Sequence, residues 1–232
     1  ELKNLNKEIN FIFSSSATVY GDPKTLPITE SEPIKKAESP YGNTKQIGEE
    51  IIKDLVNSSF NFKAISLRYF NPIGAHPSAL IGELPIGIPQ NLVPYITQTA
   101  IGKRNELTVF GDNYLTIDGS CIRDYIHVVD LAKAHIKSLE KLIKESSKNY
   151  YDAFNIGTGK GTSVLELISC FESVSGKKLN FKIGERRKGD VAKCFADVLK
   201  ANELLNWKSK HSIEDALLSS WNWEKHIKNE QL

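Results

Sequence analysis

The segment Asn10-Phe11-Ile12-Phe13 is a short apolar run that ends in Ser14-Ser15-Ser16, a pattern typical of a buried strand that leads into a polar loop. Ser39-Pro40 marks a helix start, because serine can cap free backbone N–H groups and proline has its φ preset for the first helical position. A second strand is predicted at 63–70. Strand, helix and strand in this order indicate an α/β fold.

The predicted helix continues to about Asn57, and its apolar residues recur at helical spacing, so we expect one face to be buried. These residues are Ile47, Ile51, Ile52, Leu55 and Val56. Before the helix, from Gly21 to Ala37, prolines and the lack of any period predict a loop. The segment 71–90 is also rich in proline and glycine, and a structureless loop of that length is usually functional, so it is predicted to be a lid or pocket wall.

The same patterns predict the later elements. They are helices at about 92–102, 128–145, 163–175, 197–205 and 212–228, and strands at 107–110, 151–156 and 178–183.

Composition narrows the function classes. The 232 residues are 40% hydrophobic and 25% charged, as in globular domains, and the net charge of +2 gives no field that would gather nucleic acid or anionic lipid. No apolar run approaches the roughly 20 residues that cross a bilayer. Cys121, Cys170 and Cys194 suggest neither disulfides nor zinc, and the five histidines have no ligand spacing, so we expect no metal and a cytoplasmic location.

Tyr41 and Lys45 form a Y-x-x-x-K pattern on the predicted helix, where residues four apart share a face. An ammonium group beside a phenol favours the phenolate, which can act as a general base. Ser14-Ser15-Ser16 ends a strand at the sheet edge where α/β proteins bind ligands, and a hydroxyl there could pass a proton. The alternative is a serine-rich loop that only caps a helix. Tyr20 and Lys24 also match the pattern, but a turn separates them.

Four segments resemble successive motifs of the UDP-glucose 4-epimerases, also called UDP-galactose 4-epimerases, in the extended short-chain dehydrogenase/reductase family. They are Phe13-Ser-Ser-Ser-Ala-Thr-Val-Tyr-Gly21, Ser39-Pro-Tyr-Gly-Asn-Thr-Lys45, Leu67-Arg-Tyr-Phe-Asn-Pro-Ile-Gly-Ala-His-Pro77 and Arg123-Asp-Tyr-Ile-His-Val-Val-Asp-Leu-Ala132. The resemblance extends from about residue 10 to Trp223.

The resemblance implies a doubly wound, Rossmann-like parallel sheet with a smaller mixed α/β substrate domain. Residues 1–70, with a return segment near 123–157, would be the remaining part of the NAD-binding domain, and 71–232 mainly the UDP-sugar-binding domain. No Gly-x-x-Gly-x-x-Gly loop occurs in the sequence, so we expect the first strands of the nucleotide domain to precede it. Gly157-Thr158-Gly159-Lys160-Gly161 is a candidate phosphate loop, but a surface turn explains it better.

The activity that the resemblance implies is NAD-dependent 4-epimerisation of UDP-hexoses through a transient 4-keto sugar, in galactose metabolism. Tyr41 would be the base for the sugar 4-hydroxyl, Ser16 the hydroxyl relay, and Lys45 the residue that binds the nicotinamide ribose and favours the phenolate. Tyr69 and Phe70 would lie beside the nicotinamide.

The resemblance also implies a set of UDP-sugar contacts. They comprise Ser16 and Tyr41 at the sugar, Asn71, Asn91 and Leu92 in the same site, Thr108 and Phe110 at the uracil, Arg123, Arg187 and Asp190 at the nucleotide, and Cys194 near the hexose. Members of the family with a small residue at the position of Cys194 tend to accept N-acetylated sugars too, so the resemblance implies that acceptance here. Without the surrounding motifs, Arg186-Arg187-Lys188 would be interpreted as a solvated cationic turn.

Several alternatives remain. The chain could be another UDP-sugar-modifying member of the superfamily, a decarboxylase or dehydratase, or a non-catalytic nucleotide-sugar-binding protein. Relatives usually form homodimers, and the helix that starts at Pro40 is the candidate surface. Structural roles are predicted for Arg68, for His127 at a helix start, and for the packing aromatics Trp207, Trp221 and Trp223.

Overall fold

The architecture is taken from a computed structural model that describes residues 8–58 and 61–230. Its strands are β1 (Ile9–Ser16), β2 (Phe62–Tyr69), β3 (Asn71–Ile73), β4 (Leu107–Phe110), β5 (Ile122–Arg123), β6 (Tyr125–His127), β7 (Tyr150–Ile156), β8 (Thr162–Ser163), β9 (Phe181–Gly184) and β10 (Lys193–Cys194). Its α-helices are α1 (Pro40–Asn57), α2 (Leu92–Ala100), α3 (Val128–Lys144), α4 (Val164–Ser175), α5 (Leu199–Leu204) and α6 (Ile213–Glu230), and Ala17–Tyr20 form a 3₁₀-helix.

The chain divides into two compact units. The first comprises Glu1–Phe70, Leu131–Gly159 and Phe195–Lys208, and the second comprises Asn71–Asp130, Lys160–Cys194 and Ser209–Leu232. The division therefore falls directly after β2 and again within α3. Each unit is described by itself below.

The first unit contains a parallel sheet with the strand order β1-β2-β7. The central strand β2 is buried over seven of its eight residues, as expected for a strand that is covered on both faces. The sheet and helices confirm the predicted α/β class. Because all three strands are parallel, the carboxyl ends of β1 and β2 meet at one edge, where Ser16 is the register partner of Tyr69.

Helix α1 begins as predicted. The Ser39 hydroxyl accepts a hydrogen bond from the Gly42 N–H at 3.1 Å, and Pro40 occupies the first turn. Ile52 and Val56 pack against Phe62 and Ala64 of β2. The expectation that all five apolar residues of the helix share a buried face is wrong in part.

Three of those five residues face away from the core. Ile47, Ile51 and Leu55 are 45%, 55% and 37% exposed. The physical reason is helical geometry, because these three residues lie on the side of the helix opposite Glu49, which is fully buried and pairs with Arg68 of β2. The helix is therefore apolar on an outer face as well as on an inner one.

The second unit is a mixed α/β assembly. It contains the parallel pairs β3-β6 and β4-β9 and the mixed sheet β10-β5-β8. Its core is formed by residues of α2, α4 and α6 together with β4, including Ile96, Leu107, Leu167, Phe171, Leu217 and Trp221. Trp221 packs edge-on against Phe171, so its predicted packing role is confirmed.

The predicted elements are present with small changes at their ends. The differences are the short strands β3, β5, β6, β8 and β10, which sequence patterns did not predict because two or three residues are too few to show a period. Trp207 is buried in the first unit, and Trp223 of the second is half-buried and donates its indole N–H to the Glu83 carbonyl. Among the described residues, no helix is long and apolar enough to cross a membrane.

Candidate active site

The three serines at the end of β1 have three different partners in the first unit. Ser14 Oγ lies 2.8 Å from the Tyr69 hydroxyl, and Ser15 Oγ donates to Glu49 at 2.6 Å. Ser16 Oγ accepts from the Thr18 N–H at 3.2 Å and caps the 3₁₀-helix. Ser16 therefore does cap a short helix. Capping uses the hydroxyl oxygen as an acceptor and leaves its proton able to donate elsewhere.

Tyr41 and Lys45 lie together on the first turns of α1. The Lys45 Nζ is 5.3 Å from the centre of the Tyr41 ring and donates to the Ser14 carbonyl at 2.8 Å. The phenol is 55% exposed, so it is open to a ligand. A Cβ atom at residue 42 would lie 3.2 Å from the Thr18 carbonyl oxygen, a tight contact that glycine avoids. The start of α1 therefore packs against the serine loop, and the predicted Tyr41, Lys45 and serine group is assembled within one unit.

Tyr69 ends β2 at the same edge of the sheet. Its hydroxyl also lies 2.5 Å from Nε2 of His135 on α3, and Nδ1 of His135 is 3.0 Å from the Leu131 carbonyl. Burial raises the pKa of Tyr69, although the hydrogen bond with Ser14 opposes the shift. No sequence spacing connects His135 to Tyr69, which lies 66 positions away, so the sequence does not predict this contact. The next residue, Phe70, is buried.

Arg68 has the structural role that the sequence predicted. It forms two hydrogen bonds with the carboxylate of Glu49, at 2.9 and 2.7 Å, and a third with the Tyr20 hydroxyl at 2.9 Å. Tyr20 in turn donates to Asn155 of β7 at 2.6 Å. This buried network connects α1 to the sheet directly below the serine loop.

The second unit contains a cavity of about 540 Å³. Eight residues that the sequence assigned to a substrate site line it: Asn71, Asn91, Leu92, Thr108, Phe110, Arg123, Arg187 and Asp190. Ile88, Pro89 and Gln90 also line it, so the end of the 71–90 segment is a pocket wall, as predicted. The cavity brings together residues from segments that are more than a hundred positions apart.

Asp190 holds the two arginines of the cavity. Its carboxylate lies 3.0 Å from Nε of Arg187 and 3.7 Å from Nη2 of Arg123. The Arg187 guanidinium also lies over the ring of Phe110, 4.7 Å from its centre. The cluster of two arginines and one carboxylate is positively charged, which suits an anionic ligand, although a second carboxylate, that of Glu83, also lines the cavity.

Three predicted substrate residues are not among those that line this cavity. Ser16 and Tyr41 belong to the first unit. Cys194 is the register partner of Arg123 in the β10-β5 pair, directly beside a lining residue. Burial raises the pKa of the Cys194 thiol to about 11, so it stays protonated at neutral pH and behaves as a small apolar group.

His127 and the glycine-rich turn also follow the sequence interpretation. Nδ1 of His127 accepts from the Val129 N–H at 3.0 Å at the start of α3. The residues 157–161 form an irregular connection between β7 and β8. Gly159 has a φ of +77°, which explains a glycine at that position.

Comparison with known proteins identifies the class. The family model described as GDP-mannose 4,6 dehydratase matches residues 1–219, and the chain belongs to that family of nucleotide-sugar enzymes with a Rossmann-like fold. Within it, the chain is similar to UDP-glucose 4-epimerases. It is 49% identical to the enzyme of Drosophila melanogaster, over 97% of this chain and 64% of that protein, and 54% identical to that of Dictyostelium discoideum, over 92% and 61%.

Solved structures agree with this relationship. The UDP-glucose 4-epimerase of Stenotrophomonas maltophila, with bound NAD and formylated UDP-arabinopyranose, has a TM-score of 0.91 and 45% identity, over 95% of this chain and 65% of that one. The enzyme of Bifidobacterium longum in complex with NAD+ and UDP has a TM-score of 0.88 and 47% identity, over 95% and 64%. The predicted resemblance is confirmed, and the chain spans somewhat less than two thirds of the length of these relatives.

Proposed function

We propose that this chain acts in the NAD-dependent interconversion of UDP-glucose and UDP-galactose through a transient 4-keto sugar. The observation that carries the proposal is the Tyr41 and Lys45 pair, which lies against the serine loop at the carboxyl edge of a parallel sheet. Proton removal from an alcohol needs a base that the ligand can reach. The Tyr41 phenol meets this requirement because it is more than half exposed. The similarity to UDP-glucose 4-epimerases over most of the chain supports the same activity.

The residues at this edge suit the nicotinamide end of NAD. The Lys45 ammonium has donors beyond the one used for the Ser14 carbonyl, and they match ribose hydroxyl acceptors. Tyr69 ends the neighbouring strand, Phe70 follows it, and both would flank the nicotinamide. When bound, NAD supplies a reversible acceptor for the hydride of sugar carbon 4.

The proton is moved by the side chains of this chain. Tyr41 takes the proton of the sugar 4-hydroxyl and later returns it, with the Lys45 ammonium stabilising the phenolate. Ser16 keeps its hydroxyl proton while its oxygen accepts from Thr18, so it can connect the alcohol to Tyr41 as a relay. The same groups serve both directions, as an epimerisation without net redox change requires.

The cavity of the second unit is proposed to hold the uridine diphosphate. A 4-keto sugar must turn over while its nucleotide stays in place, which demands a firm contact at the nucleotide and a loose one at the sugar. Arg123 and Arg187 offer guanidinium forks to the diphosphate, and Asp190 offers a carboxylate to the ribose hydroxyls. Thr108 and Phe110 would flank the uracil, while Asn71, Asn91 and Leu92 complete the site.

We also propose that the enzyme accepts UDP-GlcNAc and UDP-GalNAc. The supporting observation is the small, neutral thiol of Cys194 next to Arg123. A relative from Campylobacter jejuni, 36% identical with a TM-score of 0.76, is a UDP-Glc/GlcNAc 4-epimerase, so the dual specificity exists among proteins of this fold.

A homodimer is proposed from the outer faces of two helices in the first unit. On α1 the exposed apolar residues Ile47, Ile51 and Leu55 follow each other every four positions. On α3 the exposed apolar residues are Ile136, Leu139 and Ile143. A second copy of the chain would cover these stripes with stripes of the same kind, as a two-fold interface allows.

The three cysteines are free thiols, which supports the cytoplasm as the compartment of this protein.

Turnover of UDP-galactose tests the activity directly. The purified protein, supplied with NAD, is expected to convert UDP-galactose into UDP-glucose, followed by a coupled assay specific for UDP-glucose. A product lighter by water would instead identify a dehydratase, and loss of carbon dioxide from UDP-glucuronic acid, supplied as a separate substrate, would identify a decarboxylase. Tight binding of UDP with no turnover of any of these substrates would identify a binding protein and overturn the proposal.

A further inference from the structure

The cationic run Arg186-Arg187-Lys188 contains one residue that lines the cavity and two that do not. We infer that Arg186 is a positioning residue, whose stacking on Tyr114 fixes the segment that presents Arg187 and Asp190 to a nucleotide diphosphate. The inference rests on the proposed function, because it assigns the group that sets affinity at the same cavity.

The segment that carries Arg187 and Asp190 has no regular structure of its own. It follows β9 at Gly184 and reaches β10 only at Lys193. Within it, the Asp190 N–H bonds the Arg187 carbonyl at 3.3 Å around a turn. A segment of this kind needs contacts with its surroundings to hold two charged side chains in one geometry.

Arg186 makes those contacts with the segment that follows β4. Its guanidinium lies over the Tyr114 ring, 4.0 Å from the centre, and its Nε donates to Oδ1 of Asn113 at 2.6 Å. A second guanidinium nitrogen donates to the Asn113 carbonyl. Stack and hydrogen bonds together fix the plane and the direction of the arginine, which a lysine ammonium could not do.

Tyr114 is a rigid platform for this stack. Its side chain is 7% exposed, and burial together with the neighbouring Cys121 thiol raises its pKa to about 12. The phenol is therefore neutral and shielded from solvent. Cys121 lines the cavity, so Tyr114 stands behind the cavity wall and not in it.

The close approach also explains Gly111. With a φ of +84°, it lies where a Cβ atom would come within 2.7 Å of both Arg186 Cγ and Tyr114 Cε2. The Gly111 N–H bonds the Gly184 carbonyl at 2.9 Å and continues the β4-β9 pairing. The two segments are thus joined at Gly111–Gly184 and again at Tyr114–Arg186.

The two consecutive arginines stack on two aromatic rings that lie four positions apart in the chain. Arg186 takes Tyr114, and Arg187 takes Phe110 and also bonds Asp190. Displacement of Arg186 would therefore move Arg187 and Asp190, which line the cavity. Arg186 itself is not among the described lining residues.

Titration of UDP into purified variants tests the inference. Arg186→Lys keeps the charge and loses the planar stack, and we expect UDP affinity to fall about fivefold to tenfold. Lys188→Gln removes a charge from the same exposed segment and is expected to change the affinity less than about twofold. Tyr114→Leu should match Arg186→Lys, whereas Tyr114→Phe keeps the ring and should bind as the wild type does. In turnover assays of Arg186→Lys, the KM for UDP-galactose should rise, while kcat should stay within about twofold of the wild-type value.

The outcomes separate the two proposals. If the wild-type protein does not bind UDP, the proposed function fails. If it binds UDP and Arg186→Lys binds equally well, or if Lys188→Gln loses as much affinity as Arg186→Lys, then Arg186 acts at most as a distant charge and the positioning role is refuted. Arg186 is exposed, so its variants are expected to fold. They test the positioning role even if Tyr114→Leu fails to fold.

Discussion

Arg68 and Glu49 form a buried, two-pronged ion pair that joins the carboxyl end of β2 to the middle of α1. The arginine is 4% exposed and the glutamate is fully buried. Since α1 also carries Tyr41 and Lys45, this ion pair attaches the helix of the proposed base to the strand that ends at Tyr69. Buried pairs of this kind contribute little net stability, but they strongly disfavour the loss of one partner.

Replacement of Glu49 by Gln is expected to lower the free energy of unfolding by about 3 kcal/mol, because it leaves the Arg68 charge buried without a counter-ion. Chemical denaturation measures the change. Glu50→Gln, on the exposed side of the same helix, is the matched control and should change stability by less than about 0.5 kcal/mol. Equal effects of the two variants would show that the pair is not what holds the helix.

The same pair predicts a pH dependence. Burial alone would raise the pKa of Glu49, but the hydrogen bonds and charge of Arg68 and the Ser15 hydroxyl outweigh it and hold the pKa below its usual value. A lowered folded-state pKa means that the stabilisation is complete above the unfolded value of about 4.3 and is lost as the pH falls through the folded value. The stability difference between wild type and Glu49→Gln should therefore shrink on acidification below about pH 4.3. A difference that grows would contradict this sign.

Tyr41→Phe is expected to reduce kcat by about 10² to 10⁴ by removing the group that accepts the proton. Tyr20→Phe provides the comparison, because Tyr20 belongs to the other Y-x-x-x-K match and bonds Asn155 and Arg68. That variant should unfold more easily, by about 1–3 kcal/mol, while its folded form keeps kcat. Steady-state kinetics and thermal denaturation separate the two effects. Retention of kcat in Tyr41→Phe would remove Tyr41 from the mechanism.

Cys194→Tyr is expected to lower kcat/KM for UDP-GlcNAc by about tenfold or more relative to that for UDP-glucose, since a ring would fill space that the thiol leaves open. Cys194→Ala keeps the position small and should turn over both pairs of substrates as the wild type does. Competition between the two substrates in one reaction measures the ratio. Equal losses on both pairs in the tyrosine variant would argue against a role in specificity.

Ile51→Glu places a charge in the exposed apolar stripe of α1 and is expected to convert a dimer into a monomer, because an unpaired charge in a closed interface is strongly unfavourable. Light scattering after size-exclusion chromatography reports the mass. Ile86→Glu introduces the same charge at a fully exposed isoleucine of the second unit and should leave the mass unchanged. A wild-type protein that is already monomeric would refute the proposed interface.

The elements of this chain could be predicted from local signals. Ser39 and Pro40 specify where α1 starts through backbone capping, which depends only on neighbours, and the alternation of apolar runs and turns predicts the parallel α/β class. The pair Tyr41 and Lys45 is equally local, because residues four apart on a helix share a face whatever surrounds it. The short strands escaped detection since they exist only by pairing with distant segments.

Tertiary structure alone decided which side chains meet. Nothing in sequence spacing selects His135 as the partner of Tyr69, Glu49 as the partner of Arg68, or Arg186 as the residue that stacks on Tyr114. These contacts join positions far apart in the chain, and each depends on several packed elements at once. The apolar spacing of α1 could not show which of its two stripes is covered, because burial depends on what a neighbouring strand offers. Local sequence therefore determined the main helices and strands and the pairing of Tyr41 with Lys45. Tertiary packing determined the contacts between distant side chains that complete the site.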